Sequence, residues 1–154
     1  MKLLFISLGC DKNLVDSEEM LGMLAADGHE IVDDEDEAEV IIVNTCCFIG
    51  DAKEESVNTI SLKWQRRKRQ VPGKVLIVTG CMAQRYKKEI SEEIPEVDAI
   101  LGTTSYGDIS KAVRKQAGRH FEEYKSIDFL PDISGKRMLT TGGHFAYLKN
   151  CRRL

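Results

Sequence analysis

Several common signatures are absent from this sequence of 154 residues. No apolar run approaches the roughly 18 residues that a membrane span requires, so we expect no membrane-spanning segment. No G-x-G-x-x-G follows a strand-like run, and no G-x-x-x-x-G-K precedes Ser or Thr, so the usual fingerprints of dinucleotide and nucleotide phosphate binding are missing. No C-x-x-C pair is present, which removes the usual signatures of thioredoxin-like redox chemistry and of zinc ribbons.

The composition is that of one ordinary globular domain, with 42% apolar and 31% charged residues. A net charge of −3 gives no overall bias toward nucleic acid. The amino terminus begins directly with a strand-like pattern and has no signal-peptide cleavage pattern, so we expect a cytoplasmic protein. One local exception to the charge balance is the basic cluster Arg66–Arg69, which either complements the dipole at a helix end or contacts RNA or another acidic partner.

Strand-like and helix-like patterns alternate along the first two thirds of the chain. Short apolar strands begin near residues 3, 29, 40, 75 and 98, and helical periodicity follows over 13–26 and 52–69, around Tyr86 to Ile94, and after Ser105. This alternation predicts an α/β fold, a doubly wound and mainly parallel five-stranded sheet in the flavodoxin-like order 2-1-3-4-5. We predict that residues 1–118 form this domain.

From residue 119 onward, Pro and Gly interrupt the sequence and helical periodicity is lost. Residues 119–154 are therefore predicted to be an irregular tail that links to a further domain. Within this tail, the weak alternation over 144–148 is compatible with a strand.

Three of the five cysteines share one position in this pattern. Cys10, Cys46 and Cys81 each follow an apolar, strand-like run. In the order 2-1-3-4-5 these three strands are direct neighbours, and ligands of open α/β sheets bind at the carboxyl ends of the strands. Neighbouring strands lie about 4.8 Å apart, so three thiols at strand ends would span about 10 Å. We predict one shared thiolate site, which suits an iron–sulfur cluster or a zinc ion.

The loops that carry these cysteines also suit a bound anionic group. Gly9 and Gly80 precede two of the thiols and allow the backbone to approach closely. Helices are predicted to start just after each cysteine, and their amino-terminal dipoles favour thiolate over thiol. Asn13, Asp16 and Ser17 lie on the first such helix and are candidates to bond the sulfurs or to position a ligand.

Simpler interpretations stay open for the same residues. A free cysteine often packs as a small apolar side chain, and a non-enzymatic partner-binding α/β module with buried cysteines would give the same pattern. Cys47 follows Cys46 directly and is interpreted as structural or incidental, and Cys151 has no visible partner. The three histidines have no metal-ligand spacing to a cysteine. An odd number of widely spaced cysteines also argues against a disulfide framework.

The sequence around the three cysteines resembles the methylthiotransferases, which are radical-SAM enzymes. The matching stretches are SLGCDKNLVDSE at 7–18, VNTCCFI at 43–49 and VTGCMAQR at 78–85. The first of these, and the run that follows Cys47, are most similar to the branch that modifies an aspartate of ribosomal protein S-twelve, with the transfer-RNA branch as the alternative. The resemblance covers 2–149.

This resemblance implies specific roles for the chain. It assigns Cys10, Cys46 and Cys81 as ligands of an auxiliary 4Fe-4S cluster, and it implies a ribosomal partner. It also implies a second 4Fe-4S cluster, held by a Cys-x-x-x-Cys-x-x-Cys motif, that cleaves S-adenosylmethionine in a further domain. That motif is expected soon after Lys149, but residues 150–154 depart from it, so Cys151 is not interpreted as one of its ligands. We therefore expect this chain to bind a cluster and, by itself, to transfer nothing.

Overall fold

The structure is a computed structural model that describes residues 1–47, 50–70, 74–115, 121–126, 128–129 and 137–149, with only the backbone for 64–70. Its strands are β1 (Lys2–Ser7), β2 (Glu30–Ile31), β3 (Val40–Thr45), β4 (Val75–Gly80), β5 (Ala99–Gly102) and β6 (Phe121–Glu123). Its helices are α1 (Asp11–Ala26), α2 (Gly50–Gln70), α3 (Cys81–Arg85), α4 (Lys87–Glu93) and α5 (Ile109–Arg114), the last preceded by a 3-10 turn (Tyr106–Asp108).

The strands form one parallel sheet in the order β2-β1-β3-β4-β5-β6. The predicted α/β class and the order 2-1-3-4-5 are confirmed. The prediction of five strands is wrong by one, because β6 adds a sixth at the edge beside β5. None of the described helices is long and apolar enough to cross a membrane.

Burial on both faces of the sheet explains why the central strands are so apolar. Every residue of β3 and of β4 is buried. Side chains of these strands alternate between two cores, one on each face, so that Ile42 and Ile77 pack in one core and Val43 and Val78 in the other. A strand that is covered on both faces has a nearly continuous apolar sequence without polar alternation, which is the expected pattern for a central parallel strand.

Strand β6 lies in the tail that was predicted to be irregular. It pairs with β5 through the register Ala99↔Phe121 to Leu101↔Glu123. The segment after it is tied back to the domain, since Ser105 Oγ accepts a hydrogen bond of 2.8 Å from the backbone N–H of Lys125. A three-residue edge strand without a fully buried residue is too short to show an apolar pattern, so its sequence carries no strand signal. The boundary at residue 118 stays a prediction.

Other local expectations differ from the structure in detail. The helix predicted around Tyr86 is two helices, because Tyr86 leaves helical geometry (φ −115°, ψ 34°) between α3 and α4. The helical periodicity over 52–69 predicts that Val57 and Ile60 both face the core, but Val57 is 37% exposed, whereas Ile60 is fully buried. The strand considered over 144–148 is not formed, since those described residues have no strand geometry.

Candidate functional site

The register of the sheet brings the carboxyl ends of β1, β3 and β4 to one level. Ser7 of β1 is paired with Asn44 of β3, and Thr45 of β3 is paired with Gly80 of β4. Each strand is followed by a cysteine within three residues. The cysteines predicted to share a site therefore leave neighbouring strands at the same edge of the sheet, hereafter the cysteine edge.

The three cysteines have different local settings at this edge. Cys10 is exposed and is the amino-terminal cap of α1, with extended backbone (φ −79°, ψ 174°). Cys46 follows β3 directly and Cys81 is the first residue of α3, and each is only 5% exposed. The edge thus combines one thiol open to solvent with two that face the interior.

Asn13 connects the loops of all three cysteines. It lies in the first turn of α1, three residues after Cys10. Its Oδ1 accepts a hydrogen bond of 3.4 Å from the Cys81 sulfur, and its Nδ2 donates one of 3.0 Å to the carbonyl of Thr45, the residue before Cys46. The expectation that Asn13 bonds a sulfur is confirmed, and its carboxamide holds α1 against the ends of β3 and β4.

Further buried polar side chains hold the backbone of Asn13 in place. Asn44 Nδ2 donates to the Asn13 carbonyl at 3.0 Å and to Ser17 Oγ at 2.8 Å, and Ser17 Oγ donates to the same carbonyl at 2.9 Å. The hydroxyls of Ser7 and Ser17 lie 2.8 Å apart. Asn44 and Ser17 are each 1% exposed, so these bonds replace the water that they lose on folding. Ser17, a candidate to bond a sulfur or to position a ligand, bonds the Asn13 carbonyl and Asn44 through its hydroxyl.

Sequence reasoning assigned no role to Asn44, although a signal for it was present. Asn44 and Thr45 are the two polar residues at the end of a strand that is otherwise Val and Ile. Burying polar side chains in such a strand is costly unless they are hydrogen-bonded, so polar residues there indicate a specific hydrogen-bond network. Thr45 fits this reasoning, because its Oγ1 donates a hydrogen bond of 2.6 Å to the Thr79 carbonyl.

Gly80 is required by its conformation and by its neighbours. Its φ is +98°, and a Cβ there would lie 2.3 Å from Asn44 Oδ1 and 2.4 Å from the Thr45 carbonyl oxygen. A Cβ at Gly9 would lie 2.6 Å from Asn13 Nδ2. The predicted close backbone approach before Cys10 and Cys81 is therefore real, and it serves the Asn13 and Asn44 network.

The backbone of Cys46 is held by a helix on the other face of the sheet. Its N–H donates to Ser56 Oγ at 3.2 Å, and the Ser56 hydroxyl lies 3.0 Å from the Cys46 carbonyl. Ser56 belongs to α2 and is fully buried. This contact ties the backbone of Cys46 to α2, and the sequence offered no signal for it beyond a small polar residue on a helix.

The protonation state of Cys81 differs from the expectation. Burial first, and then the neighbouring thiols of Cys47, Cys46 and Cys10, raise the pKa of its thiol from 9.0 to about 11, while a hydrogen bond with Thr103 opposes the change. Helix starts were expected to favour thiolate. Loss of hydration and mutual repulsion of negative charge exceed that effect, so the neutral thiol is the stable form here.

Cys47 also belongs to this neighbourhood. Burial raises the pKa of its thiol, with a further increase from Cys46, whereas the cations of Arg85 and Lys53 lower it. Of the three neighbouring thiols, Cys47 raises the pKa of Cys81 the most. A thiol interpreted from the sequence as structural or incidental therefore lies within electrostatic range of the cysteine edge, with a cation on α2 and another on α3.

Some predicted participants are placed elsewhere or lie outside the described residues. Asp16 binds Lys149 through both carboxylate oxygens, each at 2.7 Å. Cys151 and the side chains of Arg66–Arg69 lie outside the described residues. Among the described residues, no three His, Cys, Asp or Glu side chains are arranged as a group that could hold a metal ion.

Comparison with known proteins identifies the family. A family model described as uncharacterized protein family UPF0004 matches residues 2–102. The chain is 56% identical over 150 residues to the ribosomal protein uS12 methylthiotransferase RimO of Lachnoclostridium phytofermentans, covering 97% of this chain and 34% of that protein. RimO of Solibacter usitatus is 47% identical over 152 residues, and RimO of Geobacter sulfurreducens is 46% identical over 151. These matches cover 97% and 96% of this chain but 31% and 33% of the two relatives.

The chain thus spans about a third of the length of the curated relatives that it matches. The family model covers the five strands β1 to β5 and all three cysteines of the edge. The predicted resemblance to the methylthiotransferases is confirmed, and the chain belongs to the UPF0004 family.

Proposed function

We propose that Cys10, Cys46 and Cys81 are the ligands of an auxiliary 4Fe-4S cluster, in the part of a methylthiotransferase that this chain represents. The observation that carries this proposal is the common placement of the three thiols, each following one of three adjacent parallel strands at one edge of the sheet. Cysteine thiolates are the usual protein ligands of such clusters.

The donor set fits a cluster better than a single metal ion. Zinc binds thiolates at about 2.3 Å, so its ligands must converge closely on one point. A four-iron cluster fills the space between its ligands and attaches a separate iron to each cysteine. Three thiols that each follow one of three adjacent strands at the same edge of the sheet suit the larger group.

Three cysteine ligands would leave one iron without a protein ligand. When bound, the cluster would supply an iron to which a sulfur or methylthio donor attaches. The residues of this chain would supply its position. Asn13 holds the Cys10 helix to Cys81 and to the strand end before Cys46, and Ser56 fixes the Cys46 backbone. Gly80 keeps a Cβ out of the space beside Asn44.

The reaction and its substrate belong to the longer protein. Relatives that match this chain over about a third of their length are named for methylthiotransfer to ribosomal protein uS12. We propose the same substrate for the protein that contains this chain, with S-adenosylmethionine and a second 4Fe-4S cluster bound elsewhere in it. A ribosomal substrate would place its action in the cytoplasm.

Anaerobic reconstitution with iron and sulfide tests the cluster. The wild-type chain should take up about four iron and four sulfide per molecule and become brown. Cys10→Ala, Cys46→Ala and Cys81→Ala should each lose most of this uptake, whereas Cys47→Ala is the matched control that should retain it. Uptake that persists in the triple Ala variant, or uptake of zinc without iron, would reject the proposal in favour of packed cysteines or a zinc site.

A chimera tests the substrate. Replacing the corresponding third of the Lachnoclostridium phytofermentans relative with this chain should preserve methylthiolation of uS12, measured by mass spectrometry of its peptides. The same chimera with Cys46→Ser is the negative control. Modification of transfer RNA in place of uS12 would instead assign the chain to the transfer-RNA branch.

A further inference from the structure

Residues 137–149, hereafter the strap, return to α1 after the edge strand β6. Glu18 of α1 is fully buried, which is costly for a carboxylate without partners. Its Oε2 accepts hydrogen bonds from Nε of Arg137 at 2.7 Å and from the Nη2 of the same side chain. Its Oε1 accepts bonds from the backbone N–H of Thr140 at 2.6 Å and from the hydroxyl of Thr140 at 2.9 Å. All four donors come from the strap.

A second carboxylate of α1 binds the other end of the strap. Nζ of Lys149 lies 2.7 Å from each carboxylate oxygen of Asp16. The two side chains are 12% and 6% exposed, so this ion pair is largely removed from solvent. Buried, hydrogen-bonded ion pairs hold their partners more firmly than exposed ones, because removing one partner leaves an uncompensated charge.

The strap is also closed on itself between these anchors. Nη1 of Arg137 donates a hydrogen bond of 2.7 Å to the carbonyl of Tyr147, so one guanidinium joins the beginning of the strap to a residue near its end. The hydroxyl of Thr141 donates one of 2.6 Å to the carbonyl of Phe145. These internal bonds make the strap a single unit, and α1 holds that unit at both ends.

The same helix carries the organising residue of the cysteine edge. Asn13, which contacts Cys81, lies three residues before Asp16 and five before Glu18, and Ser17 between these carboxylates donates to the Asn13 carbonyl. A helix transmits position along its axis because its backbone bonds make it stiff. The position of the strap is thereby set relative to the thiols.

We propose that Asp16 and Glu18 are positioning residues that fasten the strap to α1 and so fix where the rest of a longer chain stands relative to the cysteine edge. The consequence for group transfer rests on the proposed function, since a cluster at that edge must meet the part of the protein that binds the substrate. The fastening itself is a property of this chain and is tested separately.

Hydrogen exchange of the reduced chain without metal tests the fastening. Glu18→Gln should accelerate exchange at the Thr140 amide by about tenfold or more, because hydrogen bonds to a charged acceptor are the strong ones. Asp16→Asn should accelerate tryptic cleavage after Lys149. Glu19→Gln is the matched control, since this neighbouring carboxylate accepts a hydrogen bond from Tyr106 of the 3-10 turn. Unchanged exchange and cleavage in both variants would overturn the proposal.

Variants on the strap separate positioning from general stability. Lys149→Met should loosen 137–149 while leaving the exchange of β3 and β4 amides slow, and Lys149→Arg should restore protection because it keeps the ion pair with Asp16. Equal loss of protection in the strap and in the central strands would overturn the proposal by showing ordinary unfolding.

Cluster uptake in the same variants keeps the two proposals apart. Iron and sulfide content should equal that of the wild type in Lys149→Met, because this substitution leaves Cys10, Cys46 and Cys81 unchanged. In the chimera with the longer relative, this variant should lower the rate of uS12 modification several-fold at unchanged cluster content. A wild-type rate of uS12 modification with a loosened strap would overturn the positioning role. If the wild-type chain takes up no iron and sulfide on reconstitution, only the cluster proposal is rejected.

Discussion

The Cys81 sulfur donates a hydrogen bond of 3.4 Å to the carboxamide oxygen of Asn13, a residue 68 positions earlier in the chain. Through its Nδ2 the same carboxamide reaches the carbonyl of Thr45. One side chain thus ties the helix after Cys10 to the loops of Cys46 and Cys81. The geometry of the cysteine edge depends on this residue as much as on the cysteines.

Asn13→Ala should destabilise the chain by about 2 to 3 kcal/mol, because it leaves the Thr45 carbonyl and the Cys81 thiol buried without their partner. Urea unfolding followed by circular dichroism measures the change. Asn58→Ala, at an exposed position of α2, is the control and should change stability by less than about 0.5 kcal/mol. Equal effects of the two substitutions would contradict the role of Asn13.

Gly80→Ala should cost about 3 kcal/mol or more, since the new Cβ would collide with Asn44 and with the Thr45 backbone in addition to the strain of a φ of +98°. Gly28→Ala separates these two contributions. Its φ is +81° and, apart from its two neighbours in the chain, no described atom lies within 4 Å of the added Cβ, so only the backbone strain of about 1 to 2 kcal/mol remains. Thermal or urea unfolding of both variants checks the difference. A cost for Gly80→Ala no larger than that for Gly28→Ala would show that the collision is relieved.

Cys81 should alkylate slowly in the reduced, metal-free chain at pH 9, with a rate that rises toward pH 11, because burial and the neighbouring thiols raise the pKa of its thiol to about 11. A folded-state pKa above the ordinary value of 9.0 means that this thiol favours the folded state below pH 9 and that the contribution is lost as the pH rises from about 9 to about 11. Peptide mass spectrometry after pulses of iodoacetamide gives the pH profile. The combined Cys10→Ala, Cys46→Ala and Cys47→Ala variant should shift the profile to lower pH, and an unshifted profile would show that burial alone sets the pKa.

Asp108 should stabilise the chain by about 2 kcal/mol near neutral pH, since it is 4% exposed and binds Lys111 at 2.5 Å as well as Lys125 beyond β6. Burial raises the pKa of Asp108, but the two ammonium groups lower it more, so the net pKa is below its ordinary value of 3.8. The stabilisation is therefore complete above pH of about 5 and is lost as the pH falls below about 4.

Urea unfolding of wild type and Asp108→Asn across pH 3 to 7 checks this expectation. The difference in free energy of unfolding should be constant at the upper end and should shrink at the lower end. Asp33→Asn, which removes a charge at an exposed position, is the control. A difference that does not change with pH would show that packing, and not the charge of Asp108, is responsible.

Strands β1, β3 and β4 could be predicted from the sequence because each is a short run of Val, Ile and Leu bounded by turn residues. Their order followed from the handedness of strand–helix–strand crossovers, which leaves few arrangements. The sixth strand could not be predicted in this way. Phe121–Glu123 is a three-residue strand at the edge of the sheet with no fully buried residue, so it lacks the apolar run that marks the central strands.

The sequence by itself determined that three cysteines follow three neighbouring strands, because hydrophobic periodicity and crossover handedness act on segments that can be recognised one at a time. Only the tertiary structure decided that Asn13 meets Cys81, that Cys81 stays protonated, and that Glu18 and Asp16 hold the strap. Each of these depends on atoms from segments far apart in the chain, and their distances are set by the register of the sheet and the packing of α1 against it. Side-chain contacts of this kind appear only when all the elements are in place.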